Sequence, residues 1–335
     1  MKDATSGKIR LETLYVSRSA VKLINVERQK RLLWWIVRTV LILGISFVIL
    51  YPILRRISTA LKDRADIYNP TVVWIPQTWT LDNFRISYEV MNYFQTLLDT
   101  LTLSGAIMIF QTVACLLAGF GFARLKFKGR EILFACVIFT IVVPPQTVMV
   151  PTYLNFKDFD VFGFMHIVLG SGINLIDTYW PFILTSITAS GLKTGLYIYI
   201  FRQFFRGLPV EIEEAALVDG ASIYQTFLKI MVPNAIPSIV TVMLFSFVWQ
   251  WNDSYYTSLY LVESKVMSTQ LSSLAPNVGL YLSSQTGHTS GQLDPFYASM
   301  LVDSGVLLAI LPLIVLYIFV QRYFVESVER TGLVG

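Results

Sequence analysis

Residues 209–233 read Pro209-Val-Glu-Ile-Glu-Glu-Ala-Ala-Leu-Val-Asp-Gly-Ala-Ser-Ile-Tyr-Gln-Thr-Phe-Leu-Lys-Ile-Met-Val-Pro233, a polar, helix-competent island between two apolar runs. Pro209 suits the first turn of a helix, where its missing N–H has no partner to lose, and Glu211, Glu213 and Glu214 set negative charge on the positive end of the helix dipole. Gly220 then permits a backbone geometry that a Cβ opposes, and a second helical stretch runs toward Pro233 and Pro237. Ala215 and Ala216 leave a small-residue surface on the first helix, so another protein's backbone can approach while the flanking carboxylates set register. The stretch predicts a helix, a turn and a helix that together form a docking knob. The runs on either side decide where that knob sits.

Those runs belong to a membrane protein. Of 335 residues, 54% are hydrophobic and 14% charged, where a soluble domain carries roughly a quarter charged residues. A net charge of +4, with no basic stripe, gives no footprint for nucleic acid. A crossing needs about 20 apolar residues, and six stretches meet that length: 32–54, 97–122, 132–153, 180–205, 236–262 and 301–321. The expected organisation is a cytoplasmic N-terminal segment at 1–31, a six-span transmembrane domain at 32–325 and a cytoplasmic tail at 326–335. Orientation follows from lysine and arginine. The segment before span one holds eight of them against Asp3, Glu12 and Glu27, and the loop Arg124-Leu-Lys-Phe-Lys-Gly-Arg130 holds four in seven, so both are placed in the cytoplasm. The 55–96 connection is outside by alternation, although it carries Arg55, Arg56, Lys62, Arg64 and Arg85. Residues 154–179 and 263–300 are also outside, and the 206–235 loop is inside. The first span lacks a small-residue cleavage pattern and is expected to be retained as an anchor.

The spacing Glu214-Ala215-Ala216, three residues, Gly220, nine residues, Ile230, two residues, Pro233 resembles the EAA loop of binding-protein-dependent ABC importer permeases. Val232 stands where that motif has leucine, one apolar residue for another. Tyr51-Pro52, Thr80-Leu-Asp-Asn83-Phe84, Ala118-Gly-Phe-Gly-Phe-Ala123-Arg124, Pro144-Pro-Gln-Thr-Val-Met-Val-Pro151 and Trp251-Asn252-Asp253 extend the likeness over about residues 45–330. They narrow it to the MalG-like, carbohydrate-type permeases. The resemblance implies an all-α membrane protein with six transmembrane helices in the type I ABC importer (MetI-like) fold. It implies a multi-pass protein of the cytoplasmic membrane with both termini inside, importing a sugar or oligosaccharide by alternating access. The implied partners are a second permease subunit forming a heterodimer, two ABC ATPase subunits and an extracytoplasmic solute-binding protein. Glu213, Glu214, Ala215, Ala216, Asp219, Gly220 and Pro233 would then couple the chain to the ATPase. The family's tail ends in a Gly- and Ala-rich stretch before Lys-Gly, whereas this one ends Arg330-Thr-Gly-Leu-Val-Gly335.

No segment matches Gly-x-x-x-x-Gly-Lys-Ser/Thr, so no cofactor is expected on this chain, and ATP and magnesium belong on the partner ATPase. Cys115 and Cys136 lie in apolar runs and read as small buried hydrophobes, not a metal or disulfide pair. His166 and His288 fall in outside loops and read as solvated. Asp99 and Asp303 lie near span ends and read as structural. Lys193, near the centre of span four, is a charge that hydrocarbon opposes; it lines a solute path or ties down carbonyls near Gly191 and Gly195. Trp249, Trp251, Asn252 and Asp253, with Tyr255 and Tyr256, combine aromatic planes with amide and carboxylate groups, as sugar recognition requires. An interfacial belt or packing against the partner permease has the same composition. In the maltose importer the sugar lies mainly on the sister subunit, so direct solute contact here stays open. The polar stretch Ser283–Gly291 suits contact with the binding protein or an idle surface loop. The rival function is a stand-alone ion-coupled secondary transporter, which calls for two related halves and coupling-ion ligands at the midplane; neither is evident.

Overall fold

The computed structural model describes residues 3–263, 265–286 and 294–332, with side chains at 29–263, 265–285 and 294–321. Among these there is no strand, only isolated bridges at Lys62–Trp79 and Phe159–Ile173. The helices in chain order are α1 (Asp3–Ala60), α2 (Asp82–Val90), α3 (Tyr93–Arg124), α4 (Arg130–Val142), α5 (Pro145–Lys157), α6 (Phe164–Leu169), α7 (Trp180–Ile187) and α8 (Thr194–Gly207). They continue with α9 (Val210–Val218), α10 (Ile223–Thr226), α11 (Val232–Asn234), α12 (Ile236–Asn252), α13 (Tyr255–Tyr260), α14 (Met267–Thr286) and α15 (Pro295–Gly332). A single π turn, Phe227–Met231, joins α10 to α11.

Three described helices are long and apolar enough to cross a membrane: Gln29–Ala60, Tyr93–Arg124 and Pro295–Gln321. The number rises to five if two bent pairs each make one crossing. These are α4 with α5, bent by 101°, and Ile223–Asn234 with α12, bent by 74°. Proline explains both bends. Pro145 offers no N–H and disfavours helical backbone at Pro144, while Pro233 and Pro237 bracket the bend at Ala235. The stretch at 180–205 is likewise no straight helix but α7 and α8, separated at 188–193, where Ala189 (φ 51°) and Lys193 (φ 59°) take left-handed backbone. The last expected loop also departs from the sequence reading, because 263–300 contains the 20-residue helix α14.

The core lies where α8 and α12 pack on α3. Cys115, Phe120, Phe201, Phe205, Phe227 and Val242 bury one another there. Gly119 lets α3 and α8 close on each other, since a Cβ at this position would run into Phe201. A second cluster joins Met91, Trp251, Met267, Leu274 and Leu301 from α2, α12, α14 and α15. By contrast α1 leaves its stretch from Leu32 to Leu50 largely exposed, an apolar surface suited to hydrocarbon and not to water. Cys136 is exposed as well, so only Cys115 is the buried thiol expected of both.

Connections gather at two ends, as alternating crossings require. Arg124 at the close of α3 reaches Leu208 and Glu213, and Arg202 on α8 reaches Glu131 on α4. The 124–130 and 206–235 loops therefore share one end. At the other, Glu263 N–H donates to Asp177, and Met267 N–H donates to Thr100 Oγ1 at the start of α3. The basic residues of 55–96 are mostly answered inside the chain. Arg56 pairs with Asp303, Arg64 lies 3.7 Å from Asp294, Arg85 meets Glu89, and the Lys62 ammonium donates to the carbonyls of Val72 and Val73. Charges paired this way weigh less in orientation than the bare count suggests.

Candidate functional site

The 209–233 stretch folds as its local signals dictate. Pro209 is the N-cap of α9, with Glu211 and Glu213 in the first turn. Asp219 is the C-cap, and Gly220 at φ 85° turns the chain while Ala221 N–H closes on the Ala216 carbonyl at 3.0 Å. Ser222 and Gln225 form a reciprocal capping box, which fixes the start of α10. Glu214, Ala215, Asp219, Gly220 and Pro233 are exposed. Ala216 is 6% exposed and packs inside the loop, so the small outward surface is Ala215 alone and not the expected pair. Glu213 also turns inward, its carboxylate 3.5 Å from the Arg124 guanidinium. That contact is an ion pair too long for a hydrogen bond; a second Arg124 nitrogen donates to the Leu208 carbonyl at 2.6 Å. The Arg124 side chain is 8% exposed, so the knob is fastened to the end of α3 by a buried cation. Position 124 stood in the count of basic loop residues and at the end of the Ala118–Arg124 segment, and no spacing rule pairs it with position 213.

A cavity of about 580 Å³ opens where α7 and α8 separate, between α4, α5, α12 and α13. Gln111 from α3 holds the break together. Its amide nitrogen donates to the Leu192 carbonyl at 2.7 Å and to Thr194 Oγ1 at 2.8 Å, and its oxygen accepts from Ser246 at 2.6 Å. Such a network supplies the partners that a broken helix leaves wanting inside apolar surroundings. Lys193 is the N-cap of α8, and its ammonium lies 4.7 Å from the centre of the Trp249 ring. Both line the cavity.

The remaining residues of the expected path do not join them. Trp251 is 3% exposed and packs on Phe247 in the second core cluster. Two positions along an α-helix is roughly 200° around it, so Trp249 and Trp251 cannot face one space. Asn252 is exposed and donates to the Val248 carbonyl at 2.8 Å, away from the cavity lining. Asp253 is buried and accepts from the N–H groups of Tyr255, Tyr256 and Thr257 and from the Thr257 hydroxyl. It starts α13 and has no free face for solute. Tyr256, which the sequence placed beside them, does line the cavity, and Gln250, Ser190 and Thr185, which it did not single out, line it as well. His166 is hydrogen-bonded to Asp160 at 2.7 Å in the 154–179 connection. His288 lies outside the described residues, as does the end of the Ser283–Gly291 stretch.

Several known proteins are similar to this chain. An arabinooligosaccharides transport system permease, AraQ of Halalkalibacterium halodurans, is 27% identical over 295 residues, 87% of this chain and 93% of its own. The trehalose transport system permease SugB of Mycobacterium tuberculosis is 27% identical, covering 91% and 99%. The maltodextrin transport system permease MdxG of Bacillus subtilis is 27% identical, covering 87% and 93%. A solved chain from a bacterial ABC transporter involved in the import of the acidic polysaccharide alginate superposes with a TM-score of 0.68 at 19% identity, over 87% of this chain and 96% of that one. The family described as "Binding-protein-dependent transport system inner membrane component" matches residues 112–330, a range that contains the α9–Gly220–α10 knob, the broken helices and nearly all of α15. With the loop, its anchoring arginine and the interrupted bundle all within that range, the chain belongs to this family of ABC importer permeases.

Proposed function

We propose that the chain crosses the cytoplasmic membrane six times, with both termini in the cytoplasm, and admits a sugar or oligosaccharide. In this reading the third and fourth crossings are the broken pairs α4–α5 and α7–α8, and α12 with α13 forms the fifth. The chain pairs with a second permease, two ABC ATPase subunits and an extracytoplasmic solute-binding protein. ATP and magnesium bind the ATPase; this chain hydrolyses nothing itself. The observation that carries the reading is the outward α9–Gly220–α10 knob, locked to α3 through Arg124. Closure of the ATPases would push on α9, and the buried Arg124 anchor would pass the displacement to α3 and thence to α8 and α12. Rigid-body rocking of such a unit switches a cavity between two sides. Lys193 and Trp249 lie on the solute path, and the carbohydrate assignment is supported by relatives named for arabinooligosaccharide, trehalose and maltodextrin transport.

Reconstitution tests this. The chain alone in proteoliposomes should turn over no ATP. Together with its sister permease, ATPase and binding protein it should accumulate oligosaccharide only when ATP is supplied on the ATPase side. Uptake by the chain alone, driven by an ion gradient, would reverse the conclusion in favour of a secondary transporter.

A further inference from the structure

We infer that the cavity at the α7–α8 break is a subsite for an acidic sugar unit, whose carboxylate is held by Lys193 with help from Gln250. The inference rests on the reading that this cavity lies on the solute path, and three independent features of its wall point to an anion. The first is charge. Lys193 is the one charged side chain lining the cavity, and among the described residues no carboxylate pairs with it. Its contact with the Trp249 ring is an attraction to a quadrupole, which leaves the net charge intact and uses none of the three N–H donors in a hydrogen bond.

The second is the helix end. The first residues of α8, Thr194, Gly195 and Leu196, line the same space, so the positive end of a 14-residue helix dipole adds to the lysine. The third is an orphan. Gln250 lines the cavity and is 6% exposed, yet its amide nitrogen is buried with no hydrogen-bond partner. An unpaired buried donor is costly and marks a place where an acceptor is expected.

The ammonium and the Gln250 amide are the free donors, and the helix end adds its positive field, the N–H groups of Thr194 and Leu196 already donating to the Gly191 and Lys193 carbonyls. A neutral sugar hydroxyl both donates and accepts, whereas a carboxylate only accepts, so the carboxylate suits this wall better. The exposed indole of Trp249 supplies the apolar plane against which a pyranose ring can lie. The volume falls within the ~300–1,000 Å³ of small-molecule sites.

The test uses the assembled importer in detergent, with galacturonate trisaccharide and its neutral galactose counterpart as probes in equilibrium binding. The acidic probe should bind more tightly. Lys193→Met should cut the acidic-to-neutral affinity ratio about tenfold or more, the scale of a lost charge-assisted hydrogen bond. Gln250→Leu should cut it less, and Lys193→Arg should restore most of it. Co-purification of the sister permease with each variant guards against misfolding. Equal affinity for the two probes, no binding of the acidic one, or a ratio indifferent to Lys193→Met would each overturn the inference. Acetate competing as well as the trisaccharide would reduce the site to bare-anion binding and overturn the saccharide assignment. ATP-driven uptake of a neutral oligosaccharide that persists through any of these failures leaves the importer reading standing; loss of all ATP-driven uptake strikes that reading instead.

Discussion

Trp249 and Trp251 are separated by a single residue yet lie on opposite faces of α12, and their substitution should distinguish loss of packing from loss of transport. Trp251→Ala opens a hole among Met91, Met267 and Leu274 and should cost about 3–5 kcal/mol of stability, the usual scale for an aromatic removed from a core. Trp249→Ala removes a half-exposed ring and should leave thermal unfolding of the assembled complex nearly unchanged while lowering uptake. Equal losses of stability in the two variants would contradict the division of α12 into a core face and a cavity face. Gly220 invites a second comparison at this scale. A Cβ there would meet open space, so any penalty comes from the backbone at φ 85°. Gly220→Val should strain the turn by about 1–2 kcal/mol and weaken substrate-stimulated ATP hydrolysis. Gly220→Asn, which tolerates left-handed backbone, should lose much less. Similar activity in both variants would show that the turn does not set the direction of α10.

The elements differ in how much of them could be read from the chain. The knob was legible because its signals are local: Pro209, the glutamates and Gly220 act within a few residues of where they stand, and the Ser222–Gln225 box, equally local, went unread. Hydropathy likewise found the apolar stretches, but it counts apolar side chains and is blind to backbone breaks. The α4–α5 bend did have a mark in Pro144-Pro145. The α7–α8 break had a fainter one, since Ala189 and Lys193 adopt positive φ although neither is a turn residue. That break is held by Gln111, some 80 positions earlier in the chain, and no window on the sequence spans such a distance. Helix α14 was missed for a different reason: serines and Pro276 give it the composition of a loop. Topology can be tested element by element. With Cys115 and Cys136 replaced, single cysteines at Ser6, Lys128 and Ser222 should react with an impermeant maleimide only from the cytoplasmic side, and one at Ser284 only from the outside. Labelling of Lys128 and Ser222 from opposite sides would break the pairing of loops that Arg124 and Glu213 describe.

At the scale of the whole molecule, a knob at one end and a cavity within the bundle are joined by α3 running between them. α3 carries Arg124 beneath the knob and Gln111 beside the cavity, thirteen positions apart on one helix, about 20 Å along its axis. If the proposed ATPase contact displaces α9, the static contacts offer it a route through Arg124, α3 and Gln111 to the α7–α8 break. The central claim is that the ATPase sits on the exposed face of the knob. Ala215→Arg tests this most directly, because Ala215 is exposed on α9 and the new side chain disturbs no packing within the chain. The measurement is co-purification of the ATPase with the tagged chain, normalised to the sister permease. The expected result is a drop of roughly tenfold or more, the scale of losing an interface hot spot, with the sister permease retained and substrate-stimulated ATP turnover lost. ATPase recovery and turnover at the unsubstituted level would contradict the claim.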